Sequence, residues 1–63
     1  MSKINYFVYA LEACEKERIR QWAEAEALWL KAHSYTHVGE PNRHWSWARQ
    51  VYCRARRFSD HVN

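Results

Sequence analysis

The 63-residue chain has one glycine, one proline and two cysteines. Gly39 and Pro41 lie two residues apart, so they predict a single well-marked loop between otherwise helical segments. Two cysteines are too few for a disulfide framework. The sequence has no signal-peptide pattern and no run of about 20 apolar residues that would span a membrane. These absences favour a small protein of the reducing cytoplasm without contact to a membrane.

Motifs of metal-binding and catalytic proteins are also missing. The sequence contains no CxxC pair, no HExxH motif and no glycine-rich phosphate loop. His33 and His37 are four residues apart, but no second closely spaced pair of ligands accompanies them. Substrate pockets have volumes of roughly 300–1,000 Å³, which a chain of this length can scarcely enclose. We therefore expect neither enzyme activity, nor a cofactor, nor a bound metal.

Aromatic residues are abundant in this short chain. It has four Trp and four Tyr, and 48% of its residues are hydrophobic, which is too rich a composition for a disordered protein. A domain this small buries only roughly 60% of the surface of its unfolded chain. Three short helices hold more aromatic surface than they can hide from one another. The composition therefore predicts self-association, most simply a homodimer, or a protein partner.

The strongest helical pattern lies in the middle of the chain. Trp22, Ala25, Trp29 and Ala32 recur at spacings of three, four and three, so they share one face of a helix predicted over residues 21–34. That face alternates large rings with small methyl groups. Another helix can approach the small residues closely while the indoles project beside it.

A second helix is predicted before it, over residues 5–18. No Gly or Pro marks the junction near residues 18–21, so one long helix over 5–34 and a helical hairpin are both compatible with the pattern. Packing favours the hairpin, because only a folded-back pair buries Phe7 and Leu11 together with Trp22 and Trp29. Residues 9–32 also resemble one tetratricopeptide-type unit, although a solenoid needs about three.

The third helix is predicted over residues 42–59, after a loop at 35–41, with Asn42 as its N-cap. Its apolar residues fill an arc of roughly 160° at 100° per residue. We expect one part of this arc to pack on the hairpin and the other to face another chain. The first part consists of Trp45, Ala48, Tyr52 and Ala55, and the second of Trp47, Val51 and Phe58.

The predicted architecture is thus one all-α domain over residues 1–63, a helical hairpin covered by an amphipathic C-terminal helix. Its expected core is Phe7, Leu11, Trp22, Ala25, Trp29, Ala32, Trp45, Ala48 and Tyr52.

Positive charge is concentrated in the last third of the chain. Residues 42–63 contain five arginines and one acidic residue, whereas residues 1–41 contain five basic and six acidic residues. This asymmetry favours an acidic partner, with Arg49, Arg54 and Arg57 selecting its surface. The alternative is a small basic DNA-binding protein whose C-terminal arginines contact phosphates. The seven-residue loop is longer than the turn of a helix-turn-helix motif, which has three or four residues.

Two blocks of the sequence, "ALWLKA" and "NRHWSWARQVYCRARR", resemble the ANR family of small bacterial, plasmid and phage regulators. The similarity covers roughly residues 10–57. It rests on Glu15, Trp22, Ala25, Leu28, Trp29, Ala32, Asn42, Trp45, Ala48, Arg49, Tyr52, Cys53 and Arg54.

The resemblance implies a helical, self-associating protein that binds AraC/XylS-type transcription activators and inhibits them, rather than binding their promoters. Family members tend to carry a glycine at the hairpin turn, where this chain has Ile19-Arg20-Gln21. The function expected from the sequence is therefore that of a small protein-binding transcriptional regulator.

Overall fold

The computed structural model describes residues 3–62, and they form three helices without a strand. Helix α1 spans Lys3–Arg18, α2 spans Trp22–His33 and α3 spans Pro41–Val62. The predicted all-α class with three helices is confirmed. Helix α1 begins two residues before the predicted boundary and α3 ends three residues after it. Helix α2 is the middle element and packs against both α1 and α3.

The chain reverses between α1 and α2 through three residues. The amide of Gln21 donates to the carbonyl of Lys16 at 2.8 Å, and the amide of Arg20 donates to the carbonyl of Glu17 at 3.0 Å. This pair of hydrogen bonds is the Schellman arrangement that closes a helix C-terminus. It requires a left-handed residue, and Arg20 adopts a φ of 63°. The turn therefore forms without the glycine that usually occupies this position.

The loop between α2 and α3 is closed by its own polar groups. Gly39 has a φ of 93°, which suits a residue without a Cβ. The side chain of Glu40 accepts a hydrogen bond from the amide of His37 at 2.7 Å. Helix α3 begins at Pro41 rather than at Asn42 or Arg43, because the fixed φ and missing N–H of proline suit the first helical position.

The core surrounds the inward face of α2. Trp22, Ala25, Trp29 and Ala32 are all buried there, as the spacing predicts. Small residues oppose the two indoles and let the neighbouring backbones come close. The buried hydrophobic residues contributed by the other two helices are Tyr6, Ala10, Ala13 and Cys53.

The predicted core position of two α1 residues is wrong. Phe7 is 49% exposed and Leu11 is 67% exposed, because α1 turns a different stripe toward α2. The inward stripe carries Tyr6, Ala10 and Ala13. Alanines there leave room for the large indoles of α2, whereas Phe7 and Leu11 would compete with those indoles for the same volume.

The predicted orientation of α3 is also wrong. Trp45, Ala48 and Tyr52, expected in the core, are exposed, and so is Ala55. Over residues 41–59, the side chains that α3 buries are those of Ser46, Gln50 and Cys53. At 100° per residue, the helix is rotated by about half a turn from the expected orientation. Its polar face packs on the hairpin, and its apolar arc points outward.

Candidate protein-binding surface of helix α3

A carboxylate on the inner side of α1 is the first reason why the polar face of α3 packs inward. Glu17 Oε2 accepts hydrogen bonds from Trp29 Nε1 at 2.6 Å and from Arg49 Nε and Cys53 Sγ, each at 3.3 Å. Arg49 Nη2 also pairs with Glu17 Oε1. The Glu17 side chain is only 14% exposed, so it needs partners that donate hydrogen bonds. The polar face of α3 supplies two of the three.

These contacts change the protonation equilibria of Glu17 and Cys53. Burial alone would raise the pKa of Glu17, but the hydrogen bonds from Arg49, Trp29 and Cys53 outweigh burial and lower it. Burial, and then the hydrogen bond to the Glu17 carboxylate, raise the pKa of the Cys53 thiol to about 12. Near neutral pH the carboxylate is therefore ionised, and the thiol is a protonated donor rather than a reactive thiolate.

A second carboxylate connects α2 to α3. Glu26 Oε2 accepts a hydrogen bond from Gln50 Nε2 at 3.2 Å, and Glu26 Oε1 lies 3.2 Å from Arg57 Nη1. Gln50 itself is buried. Together with the contacts of Glu17, these bonds hold α3 at two points along its length. Rotating its apolar arc inward would break them, so the partly buried Glu26 carboxylate would lose these two donors and that of Glu17 would keep only Trp29.

With the polar face held inside, α3 presents what we call the outward face: Trp45, Trp47, Ala48, Val51, Tyr52, Ala55 and Phe58. Its five large side chains are each 42–54% exposed. None of the seven residues carries a charge, whereas Arg54 lies at the edge of the face and is exposed. A contiguous uncharged aromatic surface with a basic edge is typical of a protein interface.

Contacts within the chain hold the rings at the two edges of the outward face. Trp47 lies 5.5 Å from the His33 ring, and Tyr52 meets the Trp22 ring edge-on at 5.9 Å. The guanidinium of Arg49 lies 4.3 Å from the Tyr52 ring and 5.6 Å from the Trp45 ring. Held in this way, the rings lose less conformational freedom when a partner covers them.

Four of the five arginines of α3 contact other groups of this chain. Arg49 and Arg57 are ion-paired with Glu17 and Glu26, so they do not lie free at the surface as the sequence-based assignment assumed. Arg43 donates to the carbonyl of Thr36 at 3.3 Å, and Arg56 lies over the Trp22 ring. The predicted partner residues that the structure does bring together in the open are Trp47, Val51, Phe58 and Arg54.

This placement gives little support to the DNA-binding alternative. A phosphate contact needs a guanidinium that can reach outward, and four of the five arginines already bind groups of this chain. Arg54 alone does not form a basic stripe of the kind that follows a nucleic-acid backbone.

Sequence reasoning missed a second exposed apolar surface, on α1. Ile4, Phe7, Val8 and Leu11 are 48–70% exposed. Their spacing of i, i+3, i+4 and i+7 places them on one helix face, which we call the α1 stripe. This stripe combines Phe7 and Leu11, which were predicted to lie in the core, with Ile4 and Val8, for which the sequence suggested no role. It is smaller than the outward face of α3 and has no aromatic residue besides Phe7.

An open cleft of about 460 Å³ lies beside the start of α3, lined by His33, Gly39, Glu40, Pro41, Arg43, His44 and Trp47. Burial, followed by the charge of Arg43, lowers the pKa of His33.

Among the residues that the structure describes, no three His, Cys, Asp or Glu side chains are grouped so that they could hold a metal ion. No helix within residues 3–62 has the length and apolarity needed to cross a membrane.

Comparison of the chain with known protein families, with curated proteins and with solved structures finds no match to any of them. The basis for a functional assignment is therefore the outward face of α3 and its surroundings.

Proposed function

We propose that this protein is a small regulator that acts by binding another protein through the outward face of α3. The observation that supports the proposal is the orientation of α3, which buries polar residues and leaves five large apolar side chains half exposed. Exposing such a surface is unfavourable in water unless a partner covers it.

Trp47, Val51 and Phe58 are the proposed anchors of the contact. They lie next to one another on the outward face and are each about half exposed, so a partner can remove further area from water. Arg54 at the edge would meet an acidic group of the partner and favour the correct orientation. Arg49 and Arg57 would act indirectly, because they hold α3 in the orientation that presents these anchors.

The proposed target is a transcription activator of the AraC/XylS type, or a related regulator, in the bacterial cytoplasm. This target follows from the resemblance of residues 10–57 to the ANR family. Binding of the activator would block its dimerisation or its contact with DNA. The proposal places the inhibition in a protein–protein contact, so this chain needs no affinity for the promoter.

The test is a bacterial reporter driven by an AraC/XylS-type activator, with this protein expressed from a second plasmid. We expect the wild-type chain to lower reporter expression and Val51→Glu to abolish the effect, since a carboxylate at the centre of the outward face cannot be desolvated. Leu11→Glu is the matched control, because it makes the same kind of change in the α1 stripe and should keep the inhibition.

Both variants need to accumulate to wild-type levels, as measured by immunoblotting. Inhibition that survives Val51→Glu, or that depends on Leu11 instead, would show that the outward face is not the binding surface. Absence of inhibition by the wild-type chain across several activators of this type would reject the proposed target class.

A further inference from the structure

The open cleft beside the start of α3 combines ring side chains with two opposite charges. Trp47, the His33 ring at 5.5 Å from it and Pro41 contribute the rings, and Glu40 and Arg43 contribute the charges. Burial and the charge of Arg43 lower the pKa of His33, so that ring is neutral near pH 7. The volume of about 460 Å³ falls within the range of small-molecule sites, roughly 300–1,000 Å³.

The two charged side chains of the cleft do not neutralise each other. Glu40 and Arg43 are three residues apart, in the same order and at the same spacing as Glu15 and Arg18 on α1. Glu15 and Arg18 form a direct ion pair. Among the ion pairs found within residues 3–62, none joins Glu40 to Arg43. The spacing alone would allow such a pair, so other contacts hold these two side chains apart.

The loop before α3 provides those contacts. The amide of His37 donates to Glu40 Oε1 at 2.7 Å, and Arg43 Nη1 donates to the carbonyl and hydroxyl oxygens of Thr36 at 3.3 and 3.4 Å. Both charged side chains are partly exposed, and within residues 3–62 neither Glu40 Oε2 nor Arg43 Nη2 forms a hydrogen bond. The cleft therefore holds an anionic acceptor and a cationic donor in place before any ligand arrives.

The geometry points to a free α-amino acid with an apolar side chain as the ligand of this cleft. Its carboxylate accepts from the guanidinium of Arg43, its ammonium group donates to the carboxylate of Glu40, and its side chain lies against the Trp47 ring. An α-amino acid carries its two charges on neighbouring groups, which suits two side chains three residues apart. A ligand with a single charge would cover the other charged side chain without pairing it.

NMR titration of the ¹⁵N-labelled full chain with L-phenylalanine tests the assignment. A ligand of this size is expected to bind with a Kd on the order of 1 mM. We expect saturable shifts of the backbone signals of Gly39 and Arg43 and of the Trp47 indole N–H. N-acetyl-L-phenylalanine lacks the ammonium charge and L-phenylalaninamide lacks the carboxylate, so each should bind at least about tenfold more weakly. These derivatives also represent the two end residues of a protein chain, and they distinguish a free amino acid from a chain terminus.

Two substitutions test the same charge pair from the side of the protein. Glu40→Gln removes the charge but keeps an oxygen that can accept from the His37 amide, and Arg43→Gln removes the guanidinium. Each should weaken the binding of L-phenylalanine at least about tenfold. Arg18→Gln is the matched control, because it makes the same change in the ion pair on α1 and should bind as the wild-type chain does. Dispersed spectra verify that the variants are folded.

Several results would overturn the inference. They are the absence of saturable shifts up to the solubility limit of L-phenylalanine, shifts confined to the outward face or the α1 stripe, and wild-type affinity in both cleft variants. Equal binding of either derivative would reject a zwitterionic ligand, and this comparison on the wild-type chain decides alone if a variant is unfolded. The purified protein contains no activator, so the outcome is independent of the reporter assay.

Discussion

The two sides of α2 are packed by different chemistry. Toward α1, small apolar residues such as Ala10 and Ala13 pack beside the indole of Trp29. Toward α3, the contact includes a polar network: Gln50 donates to Glu26 of α2, and Arg49 and Cys53 bind Glu17 of α1. Ring contacts of Tyr52 with Trp22 and of Trp47 with His33 lie beside it. Apolar packing is tolerant of small rotations, whereas a network of directed hydrogen bonds has one preferred geometry. The polar network toward α3 determines which face of that helix points outward.

This difference explains how a helix with a wide apolar arc can leave that arc in contact with water. Turning the arc inward would gain apolar burial but would deprive the Glu17 and Glu26 carboxylates of the donors that α3 supplies. The polar face satisfies those groups and leaves the apolar face available to other molecules. Stability and the proposed binding function thus use opposite sides of the same helix.

The largest expected effect concerns the apolar side of this comparison. Trp29 is 1% exposed, so Trp29→Ala creates a cavity and removes the indole hydrogen bond to Glu17. Such a truncation costs about 3–5 kcal/mol, and we expect it to unfold this small domain, as measured by urea titration with circular dichroism. Trp47→Ala, in a residue that is about half exposed, should keep the helicity and reduce association instead. Equal loss of helicity in both variants would contradict the assignment of the two faces.

Substitutions in the polar network of Glu17 should reduce the stability less than Trp29→Ala does. Glu17→Ala leaves the Arg49 guanidinium and the Trp29 N–H partly buried without an acceptor, and we expect a loss of about 2–3 kcal/mol. A double-mutant cycle with Arg49→Ala measures the coupling between the two side chains. The two single changes should be strongly non-additive. Additive effects would mean that the ion pair does not contribute to holding α3 in place.

Stability should also fall in acid for the same reason. The pKa of Glu17 is lower in the folded protein than its ordinary value of 4.5, so the ionised carboxylate stabilises the fold above that value. This stabilisation is lost as the pH falls through 4.5 toward the lower pKa of the folded state. Thermal unfolding measured across this range should show a weaker pH dependence for Glu17→Gln than for the wild-type chain. An unchanged pH dependence would indicate that other carboxyl groups dominate.

The smallest effect is expected at the turn. Arg20 occupies a left-handed conformation that costs a residue with a Cβ roughly 1–2 kcal/mol. Arg20→Gly removes this cost but loses part of the gain to the greater freedom of glycine in the unfolded chain, so we expect a net stabilisation of at most about 1 kcal/mol. Thermal unfolding monitored by circular dichroism measures it. Arg20→Val should destabilise the domain, and the reverse order of the two variants would contradict the Schellman geometry.

The sequence was sufficient to predict the inward face of α2. Trp22, Ala25, Trp29 and Ala32 form a regular pattern of large and small residues, and all four are buried. A pattern of that kind has one obvious inward face, so the periodicity alone identifies it. The reversal between α1 and α2 was expected because it would bury Phe7 and Leu11, and since both are exposed, that argument does not explain it.

The orientation of α3 could not be predicted from hydrophobicity. An amphipathic helix in a small protein can turn its apolar arc toward its own chain or toward another, and the periodicity is the same in both cases. The sequence feature that indicates the orientation is a charged residue, because Glu17 lies on the same stripe of α1 as Ala10 and Ala13. A carboxylate on that stripe is partly buried and needs hydrogen-bond donors from a neighbouring helix. Those partners are Cys53 and Arg49, and the charge pattern had instead assigned Arg49 to the acidic surface of another protein.

The reactivity of the two cysteines in the native protein tests most directly whether α3 packs with its polar face inward and its apolar arc outward. Cys14 is exposed, whereas Cys53 is buried on the inward face. In Cys14→Ser, which keeps only the inward thiol, we predict that iodoacetamide does not label the folded protein and labels Cys53 at once in denaturant. Cys53→Ser should instead be labelled at Cys14 in the native state. Rapid labelling of Cys53 in the folded protein would mean that α3 packs with its apolar arc inside, and the account of the outward face would be wrong.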